Sequence, residues 1–212
     1  THQVSATINT ESFKKNAVLL VDNLDSFTYN IAHSVCGLGH HVNIISGRRE
    51  THHTAQQLLD KFQPSHVILG PGPGWPSDSR LTMEFAQLSL SGDTPPLLGI
   101  CLGHQAIGVA SGLSLVPSPI GPVHGTPVKC LHKGEALFEG LNDVSMTRYN
   151  SLTHLTADVS DESKLTVDAT DDTKSLVLGF RAKERPVFGV QFHPESVGSR
   201  FGLHIFSKFL EY

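Results

Sequence analysis

A thiol between two glycines, where an apolar strand gives way to a helix, carries the sharpest chemical signal in the chain: Gly99-Ile100-Cys101-Leu102-Gly103. It has the small-x-nucleophile-x-small form of a nucleophile elbow, in which glycines relieve crowding at a strained turn and lift the side chain between them into the open. At a helix N-terminus the macrodipole and free backbone N–H groups favour a thiolate, the nucleophilic form of cysteine. Such a nucleophile needs a base to take and return protons, and the base needs an acceptor on its other nitrogen to fix its tautomer. Gln191-Phe192-His193-Pro194-Glu195, at the end of another apolar run, offers both. A residue before proline favours the extended region, and positions two apart in an extended segment face the same side. His193 and Glu195 are therefore expected to share one site as base and orienter. H-x-E also occurs in zinc deaminases, but those need P-C-x-x-C downstream, and no cysteine follows Glu195.

A Gly/Pro loop, Gly70-Pro71-Gly72-Pro73-Gly74-Trp75-Pro76, follows the apolar run His66–Leu69. Glycine lets a backbone N–H approach a ligand closely, and proline holds the loop in one shape. One glycine N–H here, with that of Leu102 just after the nucleophile, would complete an oxyanion hole. The loop is not a nucleotide site: G-x-G-x-x-G fails, and the chain has no Gly-Lys pair for a P-loop. Gln105, one helical turn after Cys101, should project its amide on the nucleophile's side and bind the polar end of a small substrate. His104 shares that helix and is expected behind the site or in solvent. Cys36 and Cys130 lack the elbow context and are expected to be structural. Three widely spaced cysteines provide neither a disulfide framework nor a zinc pair, as in a reducing compartment. His40-His41 and His52-His53 sit in polar sequence without H-E-x-x-H spacing and are expected at the surface.

The elements that must position these groups alternate. Ala17–Asp22 is a continuous apolar run. Phe27, Ile31, Val35 and Leu38 then repeat at helical spacing, with Asp25 or Ser26 as N-cap and Gly37 and Gly39 as the stop. Strands follow at Val42–Ile45, His66–Leu69 and Leu97–Ile100, with a helix around Thr54–Phe62. Short continuous apolar strands among helices imply a parallel sheet covered on both faces. After Gly112 the strands crowd together, at Val128–Leu131, Ser145–Tyr149, Lys164–Ala169, Leu176–Arg181 and Val187–Phe192, before a last helix, Phe201–Leu210. The expected fold is α/β: an open, mostly parallel twisted sheet with helices on both faces, plus a smaller antiparallel β section in the C-terminal half. Ligands in such sheets collect beyond the carboxyl ends of the parallel strands, where Cys101, His193 and the Gly/Pro loop fall.

At 212 residues, 39% of them hydrophobic, the chain can bury the core of one domain. We place that domain at residues 17–212 and read polar, aperiodic residues 1–16 as a linker, disordered segment or processed end. A formal charge of −4 provides no basic field for nucleic acid. No apolar run approaches the roughly 20 residues of a membrane span, and the first residues contain no apolar leader region. The expected compartment is the cytoplasm, or a plastid in a plant.

The elbow, the Gly/Pro loop and the His193 segment, in this order and spacing, resemble a class I (triad-type) glutamine amidotransferase from about Ala17 to Leu210. Within that family, Val21-Asp22-Asn23-Leu24-Asp25-Ser26-Phe27-Thr28-Tyr29-Asn30 and Arg148-Tyr149-Asn150-Ser151-Leu152 resemble the branch serving the chorismate-aminating enzymes, aminodeoxychorismate synthase and anthranilate synthase. The resemblance implies an amidase that hydrolyses glutamine to glutamate and passes ammonia to a chorismate-binding synthase subunit or fused domain, which would itself use Mg. It implies Cys101 as nucleophile, His193 and Glu195 completing the triad, Gly72, Pro73 and Gly74 cradling substrate and oxyanion, and Gln105, Ser151 and Leu152 holding the glutamine backbone. No cofactor is expected in this domain. The chain departs from the family at Asn150, usually His, and at Thr126 in His124-Gly125-Thr126, usually His-Gly-Lys; neither is a triad position, and both are expected to bear on partner contact or on signalling between active sites. The expectation leans to aminodeoxychorismate synthase, the folate route, with anthranilate synthase, the tryptophan route, as the alternative. A free-standing cysteine hydrolase of γ-glutamyl amides and a non-catalytic interaction module are the competing readings.

Overall fold

The structure, a computed structural model, describes residues 14–48, 52–92 and 94–212. Four short runs, Val18–Asp22 (β1), Val42–Ser46 (β2), His66–Leu69 (β3) and Leu97–Ile100 (β4), form parallel strands. Helices Thr28–Gly37 (α1), Ala55–Phe62 (α2), Arg80–Ser91 (α3) and Leu102–Ala110 (α4) connect and follow them. The later half contributes Val116–Pro117 (β5), Thr126–His132 (β6), Val144–Arg148 (β7), Leu152–Thr153 (β8), Leu165–Thr170 (β9), Val177–Ala182 (β10), Val187–Val190 (β11) and the helix Gly202–Phe209 (α5).

Nine of these strands make one continuous sheet in the order β2-β1-β3-β4-β11-β10-β9-β6-β7. β11 returns to the early half and pairs parallel with β4, so five strands run parallel. From β10 outward every pairing is antiparallel. The antiparallel section thus extends the same sheet, while β5 and β8 form a separate antiparallel pair.

The apolar runs are continuous because both faces of the sheet are covered. Alternate residues sort into two cores. Val18 and Leu20 join Ile31 and Val35 of α1 and Ile205, Phe206 and Phe209 of α5 on one face. Leu19 and Val21 join Leu58 and Phe62 of α2, Phe85 of α3 and Ile107 of α4 on the other. Each fully buried side chain of this size contributes about 1.5–3 kcal/mol before entropy is counted.

Two local expectations are corrected. α1 starts at Thr28 with Phe27 in the capping position and no side-chain cap. Asp25 instead accepts the Phe27 N–H at 2.8 Å, while Asp22 accepts the Thr28 hydroxyl at 2.7 Å. β11 stops at Val190, two residues before the expected end, because the chain turns at once into the His193 loop. α3 was not anticipated, although Ser79 caps it and Leu81, Phe85, Ala86 and Ser89 are buried at helical spacing.

Most of the N-terminal segment expected as linker, residues 1–13, lies outside the described residues. Lys14 exchanges hydrogen bonds with the Asn43 side chain, and the Asn16 N–H donates to the Gln63 carbonyl at 3.1 Å. Among the described residues no helix is long and apolar enough to cross a membrane.

Candidate active site

Cys101 stands between β4 and α4 with φ +51° and ψ −99°, backbone angles that a residue with a side chain rarely adopts. The turn is held on both sides. The Cys101 N–H donates to the Val190 carbonyl of β11 at 2.9 Å, and the Cys101 carbonyl accepts the Gln105 N–H at 3.0 Å. Its tightness depends on the flanking glycines. A Cβ on Gly99 would lie 2.5 Å from the Gly103 carbonyl oxygen, and one on Gly103 would collide with the Leu69 carbonyl of β3. Side chains there would push α4 off the sheet and straighten the elbow. Cys101 as a residue is 7% exposed.

His193 lies just past β11, the strand beside β4. Its backbone is fixed from β7: the His193 N–H donates to the Thr147 carbonyl at 2.9 Å. The Ser199 hydroxyl donates to the His193 carbonyl at 2.6 Å and accepts the Thr147 N–H at 3.0 Å. The ring is packed edge-on by Phe27 and Tyr149, at centroid distances of 5.6 and 4.9 Å. Nδ1 meets Glu195 Oε1 at 2.7 Å. The route to that contact differs from the expected extended segment: residues 194–195 turn, and the Ser196 N–H donates back to the His193 carbonyl at 3.2 Å. The turn, rather than strand alternation, folds the carboxylate onto the ring.

Nε2, the other ring nitrogen, has no hydrogen-bond partner of normal geometry among the described residues. Burial alone would lower the His193 pKa. Negative charge on Cys101 and the hydrogen-bonded Glu195 carboxylate outweigh it and raise the imidazole to about 11. The site therefore favours imidazolium when the sulfur is charged.

The Gly/Pro loop leaves β3, next to β4 in the sheet, so it stands at the neighbouring carboxyl end. Asn23, which follows β1, braces it by donating Nδ2 to the Gly70 carbonyl at 3.0 Å and accepting the Thr82 hydroxyl at 2.9 Å. Gly72 packs so closely on Asn23 that a Cβ would lie 2.5 Å from the asparagine Cβ. Gly74 has φ +78°, Arg48 donates to the Pro73 carbonyl, and the Trp75 N–H donates to Asp78 at 2.8 Å. The bracing by Asn23 and Arg48 was not foreseen; it joins residues about 50 and 25 positions apart and leaves no local signature.

Gln105 is buried on α4. Its Nε2 donates to the Leu152 carbonyl at 3.0 Å and to Gln191 Oε1 at 3.2 Å. Both amide hydrogens are committed within the protein, so only Oε1 is left for the polar end of a substrate. Leu152 is thereby brought to α4, whereas Ser151 is exposed and its carbonyl accepts the Ser118 N–H at 2.8 Å. His104 is fully buried rather than solvated. It stacks on Phe180 at 4.4 Å, and burial holds its pKa well below the usual value. Cys130 is buried, which pushes its thiol up to about 12, and Cys36 is exposed on α1. His41, His52 and His53 are exposed, as expected, and His40 is half-buried. Among the described residues no group of three or more His, Cys, Asp or Glu is placed to hold a metal ion.

Fold and site together describe an α/β protein with a cysteine on a strained strand-to-helix turn and a His–Glu pair past the adjacent strand. The chain belongs to the class-I glutamine amidotransferases, whose family model matches residues 19–212. Anthranilate synthase component 2 of Pyropia yezoensis is 37% identical over 198 residues, covering 92% of this chain and 99% of that protein. Aminodeoxychorismate synthase component 2 of Serratia marcescens is 34% identical over 195 residues, covering 91% of this chain and 98% of that one. In three dimensions the chain is similar to a putative GMP synthase subunit of Thermoplasma acidophilum, with a TM-score of 0.77, 24% identity and 94% of each chain covered.

Proposed function

We propose that this chain is the glutaminase component of a chorismate-aminating synthase, working through Cys101, His193 and Glu195. The observation that carries the reading is the strained Cys101 elbow on the strand adjacent to the one that delivers the His193–Glu195 pair. Sγ of Cys101 attacks the side-chain amide carbon of glutamine. The Leu102 N–H and a glycine N–H of the Gly72-Pro73-Gly74 loop stabilise the oxyanion. His193 delivers its proton to the departing ammonia, leaving a γ-glutamyl thioester, and then takes a proton from the water that releases glutamate. Glu195 keeps Nδ1 protonated and the ring aimed, so that His193 can supply the roughly 10²–10⁴ in rate of a positioned acid–base group. Gln105 Oε1, Ser151 and Leu152 hold the amino acid end of the substrate. Every group in this scheme is a side chain or backbone N–H, so the domain requires no cofactor.

Ammonia then passes to a chorismate-binding partner, separate or fused, whose own chemistry would use Mg. The relatives named above, both component 2 proteins, support this assignment. Their identities of 37% and 34% do not favour the folate or the tryptophan route. The test is glutamate release from glutamine by the chain alone and with each synthase large subunit plus chorismate. We expect one partner to stimulate release and to gain glutamine-dependent product, with Cys101→Ala losing that product while synthesis from added ammonia survives. Unstimulated cleavage of assorted γ-glutamyl amides would replace this reading with a free-standing hydrolase.

A further inference from the structure

Gln191 is completely buried directly after β11, two residues before His193. Burying a carboxamide is costly unless its hydrogen bonds are made, and a leucine or methionine would fill the same volume without that cost. Its bonds lead to the nucleophile. Oε1 accepts from Gln105 Nε2 at 3.2 Å, which turns the amide so that Nε2 faces Cys101 Sγ at 3.6 Å, within range for a donor to sulfur. Gln105 is itself pinned, because the Leu152 carbonyl that holds it also accepts Asn150 Nδ2 at 2.8 Å. Asn150 Oδ1 in turn accepts Nε of Arg148 at 3.0 Å. A continuous polar ladder thus runs from the end of β7, through the residues before β8 and through α4, to the sulfur.

The far end of this ladder carries charge. The Arg148 guanidinium is fully enclosed, neither terminal nitrogen has a hydrogen-bond partner among the described residues, and burial is opposed by the charges of Asp171, then Cys130, then Cys101. Arg148 and Asn150 donate toward the Leu152 carbonyl, whereas Gln105 and Gln191 donate in sequence toward the sulfur, and in a low-dielectric interior these last two polarise one another and favour negative charge there. His193 and Arg148 each feel the charge of Cys101, and Glu195 stands behind His193.

We propose that Gln191 is a further catalytic residue: its amide N–H, oriented by Gln105, donates to Cys101 Sγ and holds the thiolate in the attacking geometry. The proposal deepens the reaction assigned above and rests on it for its consequence in turnover, though not for the contact with the sulfur. It gives Gln105 a second task, that of setting the Gln191 amide, beside the substrate role read from its spacing.

The test is the rate of iodoacetamide alkylation of Cys101 at neutral pH, followed peptide by peptide by mass spectrometry, with exposed Cys36 as internal reference. Gln191→Met keeps the length and removes the N–H. Gln191→Glu keeps the acceptor for Gln105 and turns an oxygen toward the sulfur. Circular dichroism and thermal unfolding establish which variants are folded. Alkylation of Cys101 should slow about tenfold in Gln191→Met, the worth of one hydrogen bond to a charged group, and further in Gln191→Glu, with Cys36 unchanged. Turnover should fall in kcat with KM for glutamine unaltered. A folded variant of either kind that alkylates Cys101 at the parent rate overturns the proposal. If the parent itself shows no glutamine hydrolysis with any partner, the reaction assignment fails while the alkylation contrast still decides the role of Gln191.

Discussion

His193 is pulled two ways. Burial among Phe27, Tyr149 and β7 favours the neutral ring, whereas Glu195 on one nitrogen and the charge of Cys101 favour imidazolium. The second influence wins while the sulfur is charged, so removing the sulfur must lower the imidazole pKa. In Cys101→Ala the histidine keeps its carboxylate but loses an opposite charge, a change worth about 1–3 pKa units. Ring-nitrogen NMR should show the parent imidazole protonated through neutral pH and the variant titrating at clearly lower pH; identical titrations would mean that Cys101 and His193 do not form a charge pair. At this scale much is legible from sequence, because an elbow and an H-x-E are contiguous. The path between the pair is not: Pro194 and Glu195 turn, and the contact at 2.7 Å arises from that turn instead of strand alternation. Gln191 is visible in the same pentapeptide, but its role depends on Gln105, 86 positions away, and no local pattern announces such a bond.

At the scale of elements, the elbow is a packing device. α4 approaches β3 so closely that the Leu69 carbonyl occupies the space of a Gly103 side chain, and Gly99 and Gly103 face each other across the turn. Gly103→Ala should therefore destabilise the fold by about 1–3 kcal/mol through overpacking against backbone that cannot yield cheaply. Gly37, at the end of α1, has nothing within 4 Å of the place a methyl group would take, so Gly37→Ala should leave stability unchanged or slightly higher. Urea midpoints measure the contrast, and equal midpoints for the two variants would show that the elbow is not sterically closed. β1, β3 and β4 are legible because two covered faces make a strand apolar at every position. β5 and β8, two residues each, carry no period to read, and α3 escapes the sequence reading although its buried positions and Ser79 cap follow helical spacing.

For the whole molecule, the order β2-β1-β3-β4-β11 brings the ends of four strands distant in sequence to one edge. Asn23 follows β1, the Gly/Pro loop follows β3, Cys101 follows β4, and Gln191 and His193 follow β11. The return of β11 to pair with β4 is the step that assembles the site, since it carries His193 across from the antiparallel section. That α/β architecture can be anticipated from alternating strands and helices, but the continuity of the antiparallel strands with the parallel ones cannot, because pairing partners are set by long-range packing. The proposed reaction turns on one covalent event at Cys101, so its most direct test is to incubate the complete chain with glutamine, quench in acid, and weigh the peptide that contains Cys101. A γ-glutamyl adduct on that sulfur is expected, formed before glutamate is released and absent in Cys101→Ala, which should also lose glutamate release. Glutamate released at the parent rate by Cys101→Ala, or parent turnover with the label on another residue, would contradict it.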